Sequence, residues 1–150
     1  GPDTEHQATS GNEHRAHDPG TRIAVALLVQ NPQLVSTVNV PAAFAQSGNR
    51  GLVLLSEIQE LIGSNPGIST AALVERFRGS ANEAAILKLS LLNTPETEDN
   101  ENLVHTYEQL IKRLHLDDRY DILFEKKSTG TLSEQESMEY DELMQYLKHR

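Results

Sequence analysis

The groups in this chain able to do chemistry are six histidines, 22 carboxylates and 13 lysines and arginines; cysteine is absent. His6, His14 and His17 fall together near the N-terminus. A zinc site needs ligands at fixed spacing on an ordered element, with partners that orient their rings. Their surroundings offer neither, so they read as solvated linker histidines. His105 and His115 stand ten residues apart in one helical stretch, too far to share a metal. Two carboxylates do acid–base work only where an apolar pocket drives their pKa values apart. Nothing marks such a pocket, and the Glu and Asp residues of the last third read as a solvated face. No Gly-rich phosphate loop or nucleophile motif is present. No catalytic residue, metal or cofactor is expected, and thiol chemistry and disulfides are excluded.

What remains is recognition. Residues 1–20 carry a net −3, residues 21–95 a net +1 and residues 96–150 a net −7, of −9 in all. The acidic last third repels phosphate, which argues against nucleic acid as its ligand. The near-neutral middle can host a local basic site from Arg22, Arg50, Arg76, Arg78 or Lys88. No apolar run approaches the roughly 18 residues that span a membrane, and no signal peptide is recognisable.

Helices must position these groups. Residues 1–20 contain no Leu, Ile, Val or aromatic residue and cannot offset their ordering entropy. They are expected to be a flexible linker headed by a Gly1-Pro2 cleavage scar. The apolar run Ile23–Val29 suits a buried helix or a buried strand. No second strand-like run with turn chemistry follows, which favours a helix ending at Asn31-Pro32. Asn31 is placed to cap a short helix opened by Pro32. A helical turn at Val40–Phe44 and an amphipathic helix over Leu52–Ile62 come next. Ser69 caps a helix burying Leu73, Val74 and Phe77. Ser80 and Glu83 then form a capping box for a helix carrying Ile86, Leu87, Leu89, Leu91 and Leu92.

The stretch Asn102–Lys127 carries two apolar stripes that differ in phase. Leu103, Tyr107, Leu110, Ile111 and Leu114 share one helix face, and Leu116, Tyr120, Leu123 and Phe124 share another. At about 100° per residue the second set points roughly 200° from the first. Continuing the first stripe would place Asp118 and Asp121 in a core. One surface cannot bury both stripes, so a joint is expected at His115, Leu116, Asp117 and Asp118. The expected fold is all-α, an N-terminal helical bundle over 21–115 followed by a C-terminal helical hairpin over 116–150.

The hairpin turns at Ser128–Thr131, and its last helix opens on a Ser133–Glu136 capping box. Tyr140, Leu143, Met144 and Leu147 should fold back on the Tyr120–Phe124 stripe. An arm of this size is too small to be robust alone and is expected to be mobile or to exchange between molecules. Opposite the buried stripe lie Met138, Glu142, Gln145, Tyr146 and His149. A solvated face has no need of Met and Tyr, which are enriched at interfaces. This face is expected to dock into a partner's groove.

Several stretches resemble a known family. They are Arg22-Ile23, Leu27-Leu28-Val29-Gln30-Asn31-Pro32, Arg78-Gly79, Lys88-Leu89-Ser90 and Leu132-Ser133. Together they are similar, over residues 21–150, to the C-terminal helicase-binding domain of bacterial DNA primase (DnaG). The resemblance implies a helical bundle followed by a hairpin that docks on the N-terminal domains of the hexameric replicative helicase (DnaB). It places Gln145 at a glutamine that contributes to that contact. His149 stands where some members have lysine, so an ionic contact is not implied there. The resemblance also implies a bundle site for the acidic, apolar C-terminal tail of single-stranded-DNA-binding protein. Arg22 and Lys88 match its basic residues, and His17 stands where some relatives have lysine. A cytoplasmic, non-catalytic recruitment fragment of a primase is implied, monomeric or an arm-swapped dimer, with no membrane or direct nucleic-acid contact. The competing expectation is a helical assembly domain of the helicase itself.

Overall fold

Ile23–Val29 folds as a helix, and the reason is visible in what surrounds it. In the computed structural model, which describes residues 19–94 and 99–149, α1 spans Pro19–Gln30 and residues Ala24 through Val29 are all buried. A helix apolar on every side belongs at the centre of a bundle. Two 3-10 turns, Pro32–Ser36 and Ala42–Gln46, lead to α2 (Arg50–Ser64), α3 (Thr70–Arg76) and α4 (Glu83–Ser90). Elements α2, α3 and α4 all pack on α1. α5 (Asn100–Ser128) and α6 (Glu134–Lys148) complete the chain. All regular structure among the described residues is helical. None of these helices is long and apolar enough to cross a membrane.

The chain divides into two compact units, one ending at Ile111 and the other running from Lys112 to the C-terminus. In the first, Leu27, Leu28, Leu52, Leu55, Ile58, Leu73, Ile86 and Phe44 form the interior. Each such side chain contributes about 1.5–3 kcal/mol by leaving water. Tyr107 is fully buried as well, and desolvation pushes its phenol above the ordinary tyrosine range.

The C-terminal end of α1 is tied by side chains rather than left to solvent. Asn31 Nδ2 donates to the Leu27 carbonyl at 2.9 Å, and Thr70 Oγ1 donates to the Val29 carbonyl at 2.8 Å. Gln30 Nε2 donates to the carbonyls of Leu89 and Leu92, at 2.9 and 2.8 Å. The last carbonyls of a helix have few or no intrahelical donors, and these side chains add to or replace them at the ends of α1 and α4. The Gln-Asn pair is thus a double cap linking two helices. Asn31 precedes the first 3-10 turn, with Pro32 in its first position, but makes no side-chain cap to it. Its amide is already committed backward to α1, which corrects the sequence expectation.

Two further local expectations need correction. Asn82, not Ser80, occupies the position before α4, and it makes no side-chain cap hydrogen bond. The Ser80 hydroxyl donates to the Phe77 carbonyl at 2.7 Å and accepts from the Asn82 amide at 3.2 Å, shaping a turn instead of a capping box. Leu87 and Leu91 of that segment are exposed, because the face of α4 that meets α1 carries Ile86 and Leu89.

α5 contributes to both units. Leu103, Tyr107 and Ile111 are buried in its first half. In its second half Leu123 forms a small core with Tyr140 and Leu143, flanked by Leu116, Tyr120 and Leu132, and Leu114 is not part of it. Asp117 and Asp118 are also buried, against the expectation that the phase change keeps Asp118 out of an interior. Carboxylates tolerate enclosure when they are paired, and Asp117, Asp118 and Asp121 each hold a polar interaction. The joint residues are therefore partly enclosed: His115 is exposed and Leu116 is intermediate, while both aspartates are covered. The N-terminal residues 1–18, with His6, His14 and His17, lie outside the described residues.

Candidate functional site

Gln30 has a consequence beyond α1. By holding the carbonyls at the end of α4, it fixes Lys88 and Leu89 beside the first turns of α1 and α2. Between these three helices lies a groove of about 390 Å³. Val25, Leu54 and Leu89, all buried, form its apolar floor. Arg22, Arg50 and Lys88 stand around it, one from each helix, and none pairs with a carboxylate among the described residues. Thr21 is only 1% exposed, lines the same groove, and its Oγ1 has no hydrogen-bond partner among the described residues.

The structure thus brings Arg22 and Lys88 together, although 66 positions separate them. Of the other sequence candidates for a basic site, only Arg50 joins them. Arg78 pairs with Glu75 at 3.0 Å, and Arg76 donates to Asn65 Oδ1 at 3.0 Å. Arg50 opens α2, with the Asn49 side chain accepting from the Gly51 amide at 2.9 Å to start the helix. A receptor with cations at its lip and aliphatic side chains beneath suits an anionic ligand with apolar side chains.

The second unit presents a different surface. Its turn closes with Gly130 at φ 71, the Gly130 amide on the Lys127 carbonyl and the Thr131 amide on the Lys126 carbonyl. That is a Schellman ending, in which the left-handed residue is cheapest as glycine. Ser133 and Glu136 then form the capping box read from the sequence. Three ion pairs in one network hold α6 against α5: Arg119 meets Glu139 and, at 3.9 Å, Glu136, which Lys126 also meets. Lys126, through a hydrogen bond, is the main reason the Glu136 carboxyl is held down at about 2, with the Ser133 amide adding to it. The Arg119 hydrogen bond likewise lowers Glu139, and Glu139 in turn raises Arg119. Lys127 Nζ sits 4.8 Å over the Tyr140 ring, and Tyr120 stacks on Tyr140 at 5.5 Å between ring centroids.

On the opposite side of α6, Met138, Glu142, Gln145, Tyr146 and His149 are all exposed, Met138 by 63% and Tyr146 by 50%. Sequence reasoning misassigned two neighbours, because Phe124 and Met144 are exposed rather than buried. A hairpin of two helices buries only the seam between them, so residues at its margins keep one side in water. No group of three His, Asp or Glu side chains able to hold a metal occurs among the described residues.

Comparison with known proteins adds a family likeness. The family model described as DNA primase DnaG DnaB-binding matches residues 21–143. The DNA primase of Escherichia coli strain K12 is 33% identical over 132 residues, covering 84% of this chain and 22% of the relative. The DNA primase of Salmonella typhimurium strain LT2 is 30% identical over 135 residues, covering 86% of this chain and 22% of that protein. The chain therefore spans about a fifth of the length of the relatives it matches. The crystal structure of the DnaG primase C-terminal domain from Vibrio cholerae superposes with a TM-score of 0.61 at 26% identity. That match covers 83% of this chain and 96% of the other.

Proposed function

This chain belongs to the DnaB-binding family of DNA primase DnaG, and from that premise we propose that it docks primase onto the hexameric replicative helicase. The docking surface is the outward face of α6, with Met138 and Tyr146 as apolar anchors and Glu142, Gln145 and His149 as the polar groups around them. The observation that carries this assignment is the exposure of Met138 and Tyr146 on a helix whose other side is fully used by Tyr140 and Leu143. Large side chains held in water by a rigid helix are what an interface anchors on.

The groove of the first unit takes the acidic, apolar C-terminal tail of single-stranded-DNA-binding protein, through Arg22 and Lys88. With the two ligands on separate units, one primase can be tethered at a fork by two contacts, the first raising the effective concentration for the second. Primer synthesis belongs to other parts of the parent protein, in the cytoplasm. His115, Leu116, Asp117 and Asp118 act as the joint that lets the hairpin reach its partner. Membership of a primase family displaces the competing reading of a helicase assembly domain. Isothermal titration of the chain into the helicase N-terminal domain tests the proposal: saturable binding supports it, and no heat or shift in sedimentation at high concentration contradicts it.

A further inference from the structure

We infer that Arg50 is a third carboxylate-binding cation of the groove and that the buried Thr21 hydroxyl donates to the same ligand. The acidic peptide bound there then engages at least two carboxylates while its apolar side chains cover the floor. The inference rests on the reading of this groove as an acidic-tail site, and it extends the Arg22–Lys88 pair with two residues that the family resemblance does not supply.

Position is the first argument. Arg50 is the opening residue of α2, Gly51 beside it adds no side chain, and Leu54 one turn later forms part of the floor. α2 therefore offers a cation directly above apolar surface. Charge is the second. In a chain of net −9, Arg78, Arg119 and Lys126 each sit on a carboxylate. Arg22, Arg50 and Lys88 converge without one among the described residues. Three like charges gathered around a low-dielectric floor repel one another until an anion joins them. The third argument is Thr21 itself. A hydroxyl 1% exposed and without a partner among the described residues is costly, and a ligand oxygen would satisfy it.

Single-stranded DNA also carries anions. No aromatic residue among the described ones lines the groove, however, so a base would find no stacking platform there. Valine and leucine side chains fit a peptide's apolar residues better.

The test is fluorescence anisotropy of a labelled peptide copying the C-terminal tail of single-stranded-DNA-binding protein, titrated with the whole chain at several salt concentrations. Arg50→Ala should weaken binding about fivefold and flatten its salt dependence. Thr21→Val should weaken it about fivefold with the salt dependence unchanged, and Thr21→Ser should restore it. Arg78→Ala removes the same charge from an ion-paired position and serves as the control, with affinity held within about twofold. An Arg50→Ala affinity equal to that of Arg78→Ala, or Thr21→Val binding like the parent chain, overturns the corresponding half of the inference. If Arg22→Ala and Lys88→Ala also bind like the parent, the acidic-tail reading itself has failed. An oligothymidylate that binds tighter than the peptide and loses affinity in Arg50→Ala would assign the groove to DNA and overturn the inference.

Discussion

Arg119 and Glu139, twenty positions apart, meet as a two-pronged pair: Nε donates to Oε2 at 2.8 Å and Nη2 donates to Oε1 at 2.9 Å. A planar guanidinium on both oxygens of a carboxylate fixes orientation as well as distance. With Lys126 on the neighbouring Glu136, which Arg119 also approaches at 3.9 Å, the pair sets the register of α6 on α5. Both pairs are partly exposed to solvent, so they select the pairing more than they stabilise it.

The carboxylates of this clamp make the hairpin acid-sensitive. Glu136 is held at about 2 and Glu139 below its ordinary value, so the folded state favours their ionised forms. Their stabilising contribution is present above the ordinary carboxylate pKa of 4.5 and fades as pH falls toward about 2. Thermal melts followed by circular dichroism between pH 2 and 5 should show the second unit losing stability on acidification. Glu136→Gln should melt lower than the parent at pH 5 and lose less between pH 5 and pH 2. Parallel pH profiles for the two chains would contradict this assignment.

Leu123 is the fully buried member of the hairpin core, and Leu123→Ala should cost about 2–5 kcal/mol there. Segment-resolved hydrogen exchange should show protection lost across the described residues of 116–149 and kept in α1 and α2. Helicase affinity should fall with it while acidic-tail binding persists. Loss of both ligands together would refute the division of roles between the units.

Gln30→Ala removes the side-chain hydrogen bonds to the Leu89 and Leu92 carbonyls and the one its Oε1 accepts from the Thr94 hydroxyl. The expected destabilisation is about 1–3 kcal/mol by denaturant unfolding. Tail binding should weaken as well, because Lys88 and Leu89 lose their anchor beside α1. Unchanged tail affinity in a destabilised Gln30→Ala chain would confine this residue to a purely structural role.

Much of this architecture was legible from local pattern. The Ser133–Glu136 capping box, the out-of-phase stripes of α5 and the outward face of α6 all depend on residues within a few turns of one another. The failures share a cause. Asn31 and Ser80 have the right side chains for caps, yet each satisfies a nearer carbonyl, a competition that spacing alone does not resolve. Phe124 and Met144 follow the apolar period but sit at the margin of a two-helix layer, whose width is a tertiary property. Arg119–Glu139 and the convergence of Arg50 with Arg22 and Lys88 require the register of separate helices. Asp117 and Asp118 are charged residues enclosed by their surroundings, which no hydrophobic period marks. Gln30 and Asn31 belong to the run that carries the family resemblance, and their hydrogen bonds to the Leu27, Leu89 and Leu92 carbonyls supply a physical reason for the pair.

The most direct test of the helicase-docking account is the affinity of the helicase N-terminal domain for the parent chain and for Gln145→Ala/Tyr146→Ala. Both residues are exposed on α6 and outside the hairpin core, so helical content and melting temperature should not change. The predicted result is a loss of affinity of about thirtyfold or more, as expected for truncating interface anchors. Equal affinity of the two folded chains would contradict the assignment of the outward face of α6 as the docking surface.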